Sequence, residues 1–213
     1  MKRTQRHIAL AVGTSLACLA AWLAGSPVTA LDRMSLLTAW LCLLLLAAAL
    51  VVGPLNVRRG GQPLLNHLLR RDLGIWAALT GLLHLVAATE VVMTPAYFRT
   101  WITGPPEDPL PGWAGWIGTA FILAGYAIGV LLIRLLAISN DRALRRLGKE
   151  RWKRIQRRAY WVFGLTVAHG AVFQIIEHRY GGWLLALLAV SAAVVWLQLA
   201  ARRKVNESAR PAP

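Results

Sequence analysis

Six uninterrupted apolar runs, each long enough to cross a lipid bilayer, constrain this chain more than any other feature. They lie at Ile8–Ala24, Leu36–Val52, Leu73–Thr89, Trp116–Ile138, Tyr160–Ile176 and Trp183–Ala201. An α-helix rises about 1.5 Å per residue, so some 20 residues cross a hydrocarbon core of ~30 Å. Hydrocarbon offers no partner to backbone N–H and C=O groups, so a spanning segment is either a helix or a strand of a closed barrel. The runs lack the two-residue alternation of barrel strands. An all-α integral membrane bundle of six helices is therefore expected. Its scarcity of charge agrees: 15% of residues are charged, against about a quarter in a soluble domain.

Charge placement orients the bundle. Twenty of the 24 Lys and Arg fall on one side. They are Lys2, Arg3 and Arg6, then Arg58, Arg59, Arg70 and Arg71, nine more between Arg142 and Arg158, and Arg202, Arg203, Lys204 and Arg210. Arg33, Arg99 and Arg179 fall on the other. The positive-inside rule then places both termini in the cytoplasm. Topology thus accounts for the net charge of +15, and no nucleic-acid partner is expected, since that needs a folded basic face outside the lipid. No GxGxxG lies between a strand and a helix, so no nucleotide-binding module is encoded. Cys18 and Cys42 sit inside apolar runs without metal-binding spacing and read as small hydrophobes.

Residues 1–30 form the first membrane segment. Their basic start, apolar run and small-x-small ending at Val28–Ala30 also look like a cleavable signal peptide. The run is longer than the roughly 7–15 residues usual for such a segment, which favours a retained helix. Residues 31–201 hold the other five helices, and 202–213 are expected to be a disordered cytoplasmic tail. Between the third and fourth runs, Pro95 to Gly115 is rich in Pro, Gly and Trp. It reads as an irregular interfacial lid carrying Trp101, Trp113 and Trp116.

Across the middles of the six runs, His84 and His169 are the only ionisable side chains. Such groups are costly in a bilayer and by default mark a functional site. His84 follows Arg71 by 13 residues and His169 follows Arg158 by 11, offsets of ~20 and ~17 Å along a helix. The two imidazoles thus sit at nearly equal height, in the outer half. Around His84, the same helical face carries Ala77, Thr80, Gly81, Ala87 and Ala88; around His169, it carries Val162, Leu165, Thr166, Val172 and Phe173. Small residues permit close helix packing around a hydrogen-bonded histidine, and equally leave room for a flat macrocycle. A haem iron with His84 and His169 as axial ligands satisfies both imidazoles, leaves no open coordination position and suits electron transfer. Two histidines without Cys or carboxylate make an incomplete zinc or copper site.

The segments RRDLGIWAALTGLLH and SNDRALRRLGKERWKRIQRRAYWVFGLTVAH resemble the ferric reductase-like transmembrane domain. Within it, the chain looks most like the bacterial branch that includes the haem-binding membrane subunit of the methionine sulfoxide reductase system. The resemblance covers about Pro54 to Gln198. It implies a six-helix fold, a b-type haem and a role as the haem-binding subunit of a membrane oxidoreductase. Residue by residue, His84 and His169 fall on the family's axial ligands. Many members carry a further histidine one haem lower in each helix, where this chain has Gln156 and the Arg70–Arg71 pair. One haem is therefore expected, a second requiring an unusual ligand such as His67, which lies in the loop and reads more simply as an interfacial residue.

A haem in the outer half stands far from the cytoplasm. Its electron has to come from a quinol of the membrane pool, from a bound flavin such as FMN, from a cytosolic flavin reductase, or from a second haem. Arg71 and Arg158 are candidate contacts for haem propionates or a flavin, although lipid anchoring explains most of the basic cluster more simply. At the outer mouth, Glu90, Glu177 and His178 are candidates for holding an oxidised metal ion, with helix capping the simpler role. The resulting expectation is a cytochrome b-type subunit of a bacterial inner membrane. It would pass electrons to ferric iron or to a periplasmic reductase. A small transporter or a non-catalytic scaffold is the alternative; the transporter lacks mid-membrane carboxylate pairs and broken helices.

Overall fold

A computed structural model describes residues 2–23, 29–59, 67–94, 112–177 and 181–208. Among these residues there are helices and no strands. The helices are α1 (Arg3–Leu23), α2 (Ala30–Arg59), α3 (His67–Val92), α4 (Gly112–Ala137), α5 (Asp141–Leu147), α6 (Lys149–Gln156), α7 (Ala159–Ile176) and α8 (Gly182–Ser208). Six of them, all but the short α5 and α6, are long and apolar enough to cross a membrane. The expected all-α, six-helix membrane bundle is the fold observed.

Most of the helices overrun their apolar runs, because hydropathy marks only the lipid-embedded part while backbone hydrogen bonding continues into the headgroup layer. α2 gains a turn or more at each end, and α8 runs on to Ser208. Residues 202–208 are thus helical where a disordered tail was expected, and 209–213 lie outside the described residues. The interfacial lid also lies outside them up to residue 111. Trp113 and Trp116 stand exposed on the first turns of α4.

α2 is the spine, the most buried of the spans. Leu43, Leu46 and Leu50 meet Ala77 and Ala78 of α3, Leu132 of α4, Val162 and Phe163 of α7, and Leu187 and Val194 of α8. Small residues let α3 lie close against α2. At Gly81 the approach leaves no room for a side chain: a Cβ would stand 2.6 Å from Leu132 Cδ1 and 2.9 Å from Cys42 Sγ.

α1 is held differently. It buries no residue and turns Ile8, Val12, Leu16 and Leu19 outward, as a helix facing lipid tails would. Polar bonds pin both its ends. At the C-terminal end, the outer one by the charge pattern, Arg33 donates to the carbonyls of Ala21 (2.8 Å) and Trp22 (3.2 Å), capping the negative end of the helix dipole. At the inner end, Asp72 of α3 is fully buried and accepts from Arg3 Nε (3.0 Å), Arg6 Nε (3.1 Å) and Arg6 Nη2 (2.8 Å).

The basic fourth loop is an ordered helical pair. Asn140 caps α5 by accepting from the Ala143 N–H (2.8 Å). Gly148, with φ 73°, adopts a backbone conformation that other residues rarely take and turns the chain into α6. Trp152 then donates its indole N–H to the Ile138 carbonyl (2.9 Å), folding the pair back beneath α4.

Candidate functional site

α3 and α7 bring His84 and His169 together: their ring centres are 6.4 Å apart and their planes stand at 81°. Each ring is held from behind by a different helix. His84 Nδ1 lies 2.9 Å from the Ser35 carbonyl of α2, and His169 Nδ1 lies 2.8 Å from the Phe121 carbonyl of α4. A carbonyl only accepts, so each Nδ1 carries the proton and each Nε2 keeps its lone pair. The same arrangement orients imidazoles that ligate metals. Gly125 makes the approach to Phe121 possible, since a Cβ there would sit 3.0 Å from His169 Cε1. Phe173 braces the other side of His169, with ring centres 4.6 Å apart.

Both imidazoles line one cavity of about 430 Å³, within the ~300–1,000 Å³ range of small-molecule and cofactor sites. Its walls come from α2, α3, α4 and α7, with Leu187 of α8, and are largely apolar. Toward the outer end it reaches Asp32 and Glu177. Two of its polar atoms, Thr166 Oγ1 and Gln174 Oε1, are buried without a hydrogen-bond partner.

The donor set fits a haem. Among the described residues no group of three or more His, Cys, Asp or Glu converges, so those residues do not complete a four-ligand zinc site. A porphyrin supplies its own equatorial nitrogens and asks the protein only for axial ligands. An imidazole nitrogen binds a first-row metal at about 2.0–2.1 Å, so rings on opposite faces of one iron have centres about 6 Å apart. The measured separation matches that requirement.

No family model matches the chain. The heme-binding subunits MsrQ of protein-methionine-sulfoxide reductase from Bordetella pertussis and Bordetella parapertussis are each 32% identical to it over 187 residues. That is 85% of this chain and 82% of the relative. The MsrQ subunit of Ralstonia nicotianae is 30% identical over 161 residues, covering 75% of this chain and 65% of its own. This chain belongs to the MsrQ family.

In this MsrQ-family chain the other residues singled out from sequence are dispersed. Arg71 and Arg158 do not line the cavity. Arg71 is paired with Asp141 of α5, whose carboxyl that guanidinium holds below the usual carboxylate range. Arg158 is exposed at the start of α7. Glu90 is exposed on the last turns of α3, Glu177 lines the outer end of the cavity, and His178 lies outside the described residues. Gln156 donates to Ser139 Oγ (3.2 Å) on the inner side.

Sequence reasoning missed Asp72, which sits beside Arg70 and Arg71 and was absorbed into that basic entry. Its third partner residue is His7, through Nε2 (3.2 Å), and His7 Nδ1 accepts from the Trp76 indole (3.0 Å). Both nitrogens of His7 are thereby engaged. The carbonyls of Ser35 and Phe121 carry no sequence signal, because any residue supplies a carbonyl.

Proposed function

We propose that this protein is the haem-binding, electron-transferring subunit of a redox system in a bacterial inner membrane, with both termini in the cytoplasm and α1 retained. His84 and His169 would hold one b-type haem. When bound, that group supplies a one-electron carrier with no open iron position, suited to transfer rather than oxygen chemistry. The observation that carries the reading is the carbonyl-anchored imidazole pair, with ring centres 6.4 Å apart in one apolar cavity.

The chain's own residues do the rest. The Ser35 and Phe121 carbonyls fix ring orientation and raise the basicity of each Nε2. Gly81 and Gly125 make space, while Leu43, Leu85, Ile128 and Leu132 keep water from the centre. A count of one haem is supported by Gln156, whose amide is turned to Ser139 where many relatives carry the lower histidine. Electrons would enter from the quinol pool or a cytosolic flavin reductase. They would leave to an acceptor outside the cytoplasm, for which the relatives' name favours a reductase of protein methionine sulfoxide over ferric iron.

The test is an absorption spectrum of protein produced with ample haem, oxidised and then reduced. Low-spin b-type bands are expected in the wild type and in Glu90→Ala, and their loss in His84→Ala and His169→Ala. A colourless wild type, or histidine variants that keep the bands, would overturn the reading.

A further inference from the structure

Four threonines of the bundle set off a fifth, in the cavity. Thr38, Thr80, Thr89 and Thr119 each donate their hydroxyl to the carbonyl four residues earlier, at 2.7, 2.8, 2.7 and 2.9 Å. In a bilayer this is the default, since the side chain has no water to turn to. Thr166, on α7, makes no such bond, and its buried Oγ1 has no partner. Gln174, on the same helix, is 7% exposed, and its Oε1 is likewise unpartnered. Both residues line the cavity that holds the two imidazoles. They bracket His169, three residues before it and five after. Eight residues of helix separate them, ~12 Å along the axis, so one atom cannot serve both.

A buried polar group left unsatisfied is costly, and a pair of them in one apolar cavity marks where an occupant's polar groups belong. Axial ligation fixes the centre and tilt of a flat macrocycle but leaves it free to turn about the line joining the two imidazoles. Contacts away from that line are needed to stop the turning. We infer that Thr166 and Gln174 are positioning residues for the haem, each donating a hydrogen bond to one of its two carboxylate arms. The proposal rests on the haem reading above. A hydroxyl rotates freely to donate, and the side-chain amide presents N–H to the cavity after exchanging its O and N positions. Among the described residues no Lys or Arg lines the cavity, so a carboxylate there depends on neutral donors, and each such bond weighs more for it.

Thr166→Val and Gln174→Met keep the side-chain shapes and remove the donors. In haem-loaded protein, each is expected to retain the low-spin spectrum of the imidazole pair. Each should shift the propionate bending band in the resonance Raman spectrum and weaken haem affinity roughly two- to tenfold, the weight of one hydrogen bond. Thr166→Ser should match the wild type in band and affinity. If valine perturbs α7, as read from the yield of folded protein, Thr166→Ala repeats the test. Valine and methionine variants with unchanged bands and unchanged affinity would overturn the inference while leaving the histidine pair intact. A wild type without low-spin haem would instead remove the reading beneath it.

Discussion

The two ends of α3 bury polar groups to opposite effect. At the inner end, Asp72 is closed by Arg3, Arg6 and His7, and His7 by Trp76. That network is completed within the chain, although Arg71 Nε beside it is buried without a partner. About three turns outward, in the cavity around His84 and His169, two imidazole lone pairs, one hydroxyl and one amide oxygen are left for something else. A bilayer penalises every unmatched polar group, so a satisfied network reads as architecture and an unsatisfied one as a binding site. The contrast separates the two roles more sharply than burial does.

Substitutions at the inner end should therefore act on the fold whether or not haem is present. The largest effect is expected for Asp72→Leu, which removes the buried carboxylate shared by Arg3, Arg6 and His7. Losing one partner of a buried pair costs about 3–5 kcal/mol. Thermal unfolding in detergent should show the same loss in haem-free and haem-loaded protein, and a loss confined to loaded protein would erase the distinction between the two ends. Next in size is Gly125→Ala, whose methyl would meet His169 Cε1 at 3.0 Å. Overpacking of this kind costs about 1–3 kcal/mol. Here it should appear mainly as roughly tenfold or greater weakening of haem titrated into the protein, with the haem-free melting point nearly unchanged.

Smaller effects sharpen the picture at the edges. Arg33→Ala removes the donor to the last carbonyls of α1 and should cost about 0.3–1 kcal/mol. Limited proteolysis should then release α1 more readily, without change in the haem spectrum. Asp141→Asn should be nearly silent. The carboxyl is exposed, and Arg71 only lowers its proton affinity. Whatever stability that pair adds is present above the ordinary carboxylate range and fades as pH falls through the depressed value. Wild type and Asp141→Asn melting curves should therefore converge in acid.

Much of this contrast was legible in the sequence, and its limits have physical reasons. The six spans were readable because lipid demands long apolar runs, and His84 and His169 because an ionisable group in such a run is rare. Helix ends were not, since α1 starts at Arg3 to carry two arginines and a histidine to an aspartate far along the chain. Asp72 itself was hidden by its basic neighbours, and only the packing of α1 on α3 shows that it faces inward. The silent hydroxyl of Thr166 was equally invisible: sequence shows a threonine on the His169 face, but not that it forgoes its usual carbonyl.

The central claim is that His84 and His169 ligate one iron from opposite faces, and low-temperature electron paramagnetic resonance of the oxidised, haem-loaded protein tests it most directly. Imidazole planes held near the observed 81° should give the strongly anisotropic low-spin ferric signal of perpendicular axial rings, absent from either histidine-to-alanine variant. A high-spin signal, or none after haem loading, would contradict the account.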